Sequence, residues 1–189
     1  MTEQASRSDI LMRSGKYFDF KHPEKSEFTI EDIAHALSHL CRFTGHTRSF
    51  YSVAQHSVLV SYLVPEEHAL AALLHDAAEA FIGDVAKPLK RLLPDYAQIE
   101  RRVEAAVLGR FGLPPELPPC VKRADLAMLA TEKRDLMPET ADTWPAESVG
   151  RMVMPIVPWG TTTARKVFLD HYQQVAFPLL TWVQVGAPE

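Results

Sequence analysis

The chain has 189 residues, is 47% hydrophobic and carries a formal net charge of −4. That length and apolar content suit one globular domain with a real core. The charge balance gives no sign of a surface built for polymeric nucleic acid or a membrane.

In chain order, the first 20 residues are polar and contain no apolar core of signal-peptide length. No later window reaches the roughly 18 apolar residues of a membrane span, so a soluble cytoplasmic protein is expected. "GKYFDFKHPEKSEF" reads as a short extended or hairpin segment. "TIEDIAHALSHLCRF" opens with Thr29 and has Asp32 three residues on, close to a capping box. Ile33, Ala36, Leu37 and Leu40 then recur at helical spacing, and Gly45 is the expected stop. "SVAQHSVLVSYLV" is a second helix, ending before Pro65, and "ALAALLHDAAEAFIGD" (69–84) a third. "DYAQIERRVEAAVLGRFG" is a fourth, and "GLPPELPPC" a rigid linker after it. "PCVKRADLAMLATEKRDLM" and "TTTARKVFLDHYQQVAFPLL" are a fifth and a sixth. The stretch "MPETADTWPAESVGRMVMPIVPWG" reads as a long ordered loop, with a short strand at Arg151–Pro155. Helices dominate and no βαβ alternation occurs, so the class is all-α. One domain over 1–189 is expected, with a core over about 27–136 and the 137–189 segment packed on it. Cys41 and Cys120 lack the spacing of a zinc knuckle or disulfide framework and are read as reduced thiols.

The third helix raises a question of charge. At about 100° per residue, with His75 at zero, Asp76 falls near 100° and Glu79 near 40°. Leu73, Leu74, Ala77, Ala80 and Phe81 take the opposite side. His56 lies on an apolar stripe with Val53, Leu59 and Val60, and taken alone reads as a satisfied core histidine. Asp125 lies among Val121, Met128 and Leu129, and a buried carboxylate is normally paired or bound to metal. Two histidines and two aspartates from three helices form a coherent set for one divalent cation, such as zinc, manganese, cobalt or magnesium.

The adjacent His75–Asp76, the upstream His56 and the later Asp125 resemble the H…HD…D signature of the HD-domain metal-dependent phosphohydrolases. "YSVAQHSVLVS", "ALLHDAAEAFIGDVAKPLKRL" and "VKRADLAMLATEKRDL" together resemble the small 5′-deoxynucleotidases of that superfamily. These include prophage and phage members, among them a dATP triphosphohydrolase. The resemblance covers roughly 15–136 and implies a single HD-domain helical bundle. It implies His56, His75, Asp76 and Asp125 as metal ligands, and Glu79 as the acidic residue that positions or protonates during hydrolysis. It places Asp84 near the sugar or reacting water, Arg42 on the phosphate and Phe43 beside the base. Phe43 stands where some relatives have tryptophan, and Gln55 where some carry glutamate.

Lys87, Lys90 and Arg91 follow the metal-bearing helix and are either phosphate contacts or a solvated basic turn. His46 is a further substrate-contact candidate. Lys122 and Arg123 are expected to point outward. Glu132, two turns after Asp125, is either a partner to the ligands or half of an inter-helix ion pair. His35 and His39, at i and i+4, can chelate a metal, but no glutamate accompanies them in the HExxH manner. A structural or exposed role is therefore expected for both. Trp144 and Trp159 are expected to pack, and His171 to lie at the surface.

The expected activity is cleavage of the 5′-phosphate ester of deoxynucleoside monophosphates to deoxynucleoside and phosphate. Triphosphohydrolase action releasing tripolyphosphate is the alternative, and a metal-bound scaffold or nucleotide sensor a distant one. The resemblance also implies a homo-oligomer.

Overall fold

The computed structural model describes residues 7–177. A two-stranded antiparallel hairpin opens the chain, β1 (Asp9–Leu11) on β2 (Tyr17–Asp19), with Ile10 opposite Phe18. The hairpin was expected; it begins a few residues earlier than the quoted stretch. Its inward residue, Phe18, is fully buried and stacks on Phe81 at 3.9 Å, with Phe28 5.7 Å away.

Among the described residues eight α-helices follow: α1 (Ile30–His39), α2 (Val53–Ser61), α3 (Ala69–Leu73), α4 (Glu79–Ile82), α5 (Lys87–Lys90), α6 (Pro94–Arg110), α7 (Pro119–Leu136) and α8 (Thr161–Ala176). The class is all-α, as expected. The Thr29–Asp32 capping box forms. Ser52 caps α2 by accepting from the Gln55 amide. The last four residues of the expected sixth helix fall partly outside the described residues.

α2 sits at the centre and packs against α1, α3, α7 and α8. Of its nine residues only Leu59 is not buried. A helix enclosed on all sides has no solvent face to specify, so serines, a glutamine and a histidine sit inside with the valines and need partners there. An apolar cluster on one side of α2 joins the hairpin to α1, α6 and α8; a second joins Tyr51, Val60 and Ala72 to Val121 and Met128 of α7.

Four expectations need correction. α1 ends at His39, not at Gly45, because Leu40 is extended (φ −79°, ψ 121°) and Arg42–Gly45 forms a separate 3-10 turn. The 69–84 stretch is not one helix. It breaks over 74–78, where Leu74 leaves helical geometry and the His75 Nδ1 takes up the Ala72 carbonyl at 2.7 Å. A side chain that satisfies an end carbonyl lets a helix stop there. No strand forms at Arg151–Pro155; the ordered element of that loop is a 3-10 turn at Pro145–Val149. His171 is buried, 7% exposed, with Nε2 2.9 Å from Ser61 Oγ.

Candidate metal centre

Three elements converge beside α2. His56 comes from its interior, His75 and Asp76 from the turn between α3 and α4, and Asp125 from the second turn of α7. His56, His75 and Asp125 offer ligand atoms that all lie within 4.8 Å of one another, a group that can hold a metal ion. The two imidazole Nε2 atoms are 3.3 Å apart, and His56 Nε2 is 3.5 Å from Asp125 Oδ1. Bonds of about 2.1 Å set neighbouring ligands roughly 3.0 Å apart in an octahedron and 3.4 Å in a tetrahedron. The donor set therefore fits a small divalent cation. Asp76 stands outside that mutually close group, although its Oδ2 is 3.2 Å from His75 Nε2 and 3.5 Å from His56 Nε2.

Charge is arranged around these atoms in a chain. Glu132 is fully buried; one oxygen is 2.6 Å from His56 Nδ1 and the other accepts from Arg42 Nη2 at 3.2 Å. Arg42 Nη1 reaches back to Asp76 Oδ2 at 3.4 Å. The two roles weighed for Glu132 are not exclusive: it pairs with Arg42 of the 3-10 turn and also touches His56 of the candidate group. A carboxylate on the second nitrogen of a ligating histidine fixes its tautomer and raises its basicity.

Burial and Arg42 oppose protonation of His56, but Glu132 and Asp125 outweigh them and hold it up to about 9. Burial likewise works against ionised Asp76 and Asp125. The surrounding histidines outweigh it, with Arg42 for Asp76 and Lys122 for Asp125, and hold both well below the usual carboxylate range. Glu79 goes the other way. Burial first, then Asp76 and Asp84, push its carboxyl well above the ordinary value. Burial also raises Asp84. Arg42 Nε and Glu79 Oε2 are buried with no hydrogen-bond partner among the described residues.

The Arg42 position depends on local strain. Phe43 and Thr44 both adopt left-handed backbone (φ 55° and 54°), followed by Gly45 at φ 81°. Each such non-glycine residue costs roughly 1–3 kcal/mol and is kept where the surroundings over-determine it. Here the Arg42 amide donates to the Tyr51 carbonyl at 2.9 Å, and Cys41 bridges Ser52, which ties the turn to the start of α2. Phe43 lies partly buried, its ring 5.5 Å from the Arg42 guanidinium and 6.1 Å from Trp144.

The remaining candidates divide. Lys90 is drawn in, 3.9 Å from Glu79 and paired with Glu100, beneath the Tyr96 ring. Glu100 and Tyr96 went unnoticed in the sequence, where nothing local links them to Lys90. Lys87 and His46 are exposed, and neither has a side-chain hydrogen bond or ion pair among the described residues. Lys122 is exposed, as expected, and its Nζ also pairs with Asp125 Oδ2 at 2.5 Å. Gln55, next to His56, donates to the Val157 carbonyl and accepts from the Trp159 amide, both at 2.8 Å, and so pins the late loop to α2.

No protein-family model matches the chain. It is 45% identical over 171 residues to the uncharacterized protein YfdR of Escherichia coli K12, covering 89% of this chain and 96% of that one. It is 43% identical over 123 residues to an uncharacterized protein of Rhodobacter capsulatus, covering 60% of this chain and 63% of the relative. Near full-length similarity at that level places the chain in the family of YfdR.

Proposed function

We propose that this protein is an HD-domain metal-dependent phosphohydrolase that cleaves the 5′-phosphate ester of deoxynucleotides, with monophosphates as the main substrates. The observation that carries the reading is the junction of two functions at one place. A histidine–aspartate group able to hold a cation lies beside Asp76, which is itself 3.4 Å from a buried arginine whose Nε has no partner among the described residues.

In this reading His56, His75 and Asp125 hold a divalent ion, zinc, manganese, cobalt or magnesium, and Asp76 completes the set. When bound, such an ion polarises a phosphoryl oxygen and lowers the pKa of a coordinated water. Arg42 supplies a fixed cation for the phosphate, in a two-pronged contact that suits a guanidinium. Water adds to phosphorus as the bond to the 5′-oxygen breaks. Glu79, whose carboxyl burial and the neighbouring Asp76 and Asp84 push above its ordinary value, is the group that gives a proton to the departing 5′-oxygen. Asp84 lies on the sugar side and Phe43 offers an aromatic face to the base. The homo-oligomer belongs to the same proposal and is tested by light scattering after size exclusion.

Lys87 is exposed and free to meet a longer phosphate tail, which favours triphosphates as a second substrate class. Metal-stripped protein, reconstituted with each ion in turn, is incubated with deoxynucleoside mono- and triphosphates and the products separated by chromatography. Deoxynucleoside with phosphate supports the main reading, and tripolyphosphate the second. Metal binding without turnover of any substrate overturns both in favour of a scaffold or sensor.

A further inference from the structure

A second cluster of cations lies on α1 and α8, neither of which contributes a residue to the metal centre. A cleft of about 400 Å³ is lined by Arg13 from the hairpin turn, His35 and His39 from α1, and Thr161, Arg165 and Lys166 from the first turns of α8. The i, i+4 histidine pair by itself suits a metal. Its surroundings do not, because every titratable group lining the cleft is basic.

The nearby negative charges are spent elsewhere. Asp32 is the carboxylate that acts on His35. Its oxygens accept from the Ser14 amide at 3.1 Å and the Thr29 amide at 3.2 Å. Asp170 is taken by Lys166 at 2.5 Å. Arg13 and Arg165 have no carboxylate within ion-pair distance among the described residues, and Arg165 Nε is buried with no hydrogen-bond partner there. His39 turns its Nδ1 to the His35 carbonyl at 2.7 Å, leaving Nε2 uncommitted. The first amides of α8 also lack intrahelical acceptors and add positive potential. Burial first, then His39, Arg13 and Arg165, hold the His35 imidazole below its ordinary pKa, and Asp32, acting the other way, does not offset them.

Two unpaired guanidiniums, a helix N-terminus and free imidazole nitrogens converging on one cavity match an anion with several acceptor oxygens. We propose that the α1–α8 cleft binds a phosphate-bearing anion, at a site separate from the metal centre. The inference does not rest on the proposed hydrolysis. α1 and α8 both pack on α2, which carries His56, so an occupant would brace the helix behind the centre.

The test is calorimetric titration of inorganic pyrophosphate into the metal-stripped full chain, with Arg13→Gln, Arg165→Gln and the double variant alongside. Arg13 is exposed, so its replacement leaves folding intact even if Arg165→Gln does not. The wild type is expected to bind, each single variant about tenfold more weakly, as for one lost charge-assisted contact. The zinc-induced rise in melting temperature should be unchanged in the Arg13 variant. A parallel titration with a deoxynucleoside diphosphate identifies the source. Tighter binding than pyrophosphate assigns the site to the tail of a nucleotide, and equal or weaker binding to a free phosphate. Failure of the wild type to bind at millimolar pyrophosphate, or equal binding by wild type and Arg13→Gln, overturns the proposal.

Discussion

Replacing Glu132 by glutamine removes one charge from a fully buried carboxylate held between two cationic groups. The amide oxygen can still accept from one of them, His56 Nδ1 or Arg42 Nη2, which now stand 2.6 Å and 3.2 Å from the carboxylate. The other is left facing a neutral group. Arg42 is 9% exposed and keeps only Asp76 at 3.4 Å. Breaking a buried pair by removing one partner costs about 3–5 kcal/mol, and the surviving hydrogen bond points to the lower end. For a chain of this size about 3 kcal/mol lowers the melting temperature by roughly 6–12 °C. The same substitution takes the carboxylate from the far nitrogen of His56, a change that typically costs 10–100-fold in metal affinity. Thermal unfolding followed by circular dichroism, and zinc competition against a chromophoric chelator, read the two effects separately. A melting temperature within 2 °C of wild type together with unchanged zinc affinity would refute the linkage drawn from Glu132 through His56 and Arg42.

Gln55→Glu should loosen the late loop, since a carboxylate cannot donate to the Val157 carbonyl as the amide does; an unmet buried group costs about 1–3 kcal/mol. Faster limited proteolysis within 150–160 is the expected sign, and an unchanged digestion pattern the contrary one. Lys122→Ala removes a largely exposed ion pair, of the kind worth about 0–1 kcal/mol, and should leave zinc affinity within threefold; a tenfold loss would make Lys122 part of the centre. Metal binding should also be pH-dependent. His56, held up to about 9, carries a proton at pH 7 that a cation must displace. Apparent affinity is then expected to rise about tenfold per unit from pH 7 until it levels near 9, with proton release visible as a buffer-dependent heat. A flat profile over that range would show His56 already neutral.

What was legible in the sequence was the helical class, the longer helices and the capping residues, because each leaves a local signature. Thr29 with Asp32 is an example. A set of His56, His75, Asp76 and Asp125 was foreseen, from His56 and Asp125 on apolar stripes and the charged face at His75, and His56, His75 and Asp125 of it form one close group. Other features depend on contacts distant in the chain. The break at 74–78 hides in an alanine-rich run of high helix propensity, and shows only once His75 Nδ1 takes the Ala72 carbonyl. Arg42 reads as a helix residue, yet is aimed by two left-handed residues tied to Tyr51 and Ser52. His171 looks like a surface residue until Ser61 of the central helix meets it. Lys90 finds Glu100 across the α5–α6 junction, for which no spacing rule exists.

The central claim is that the histidine–aspartate group binds a cation in order to hydrolyse a phosphate ester. The most direct measurement is release of deoxynucleoside from deoxynucleoside 5′-monophosphates by the metal-stripped and the reconstituted protein, with Asp76→Ala beside them. The account predicts turnover that appears with added metal and falls at least a hundredfold in the variant, roughly 2.7 kcal/mol of lost transition-state stabilisation. Metal-independent turnover, or equal turnover by Asp76→Ala, would contradict it.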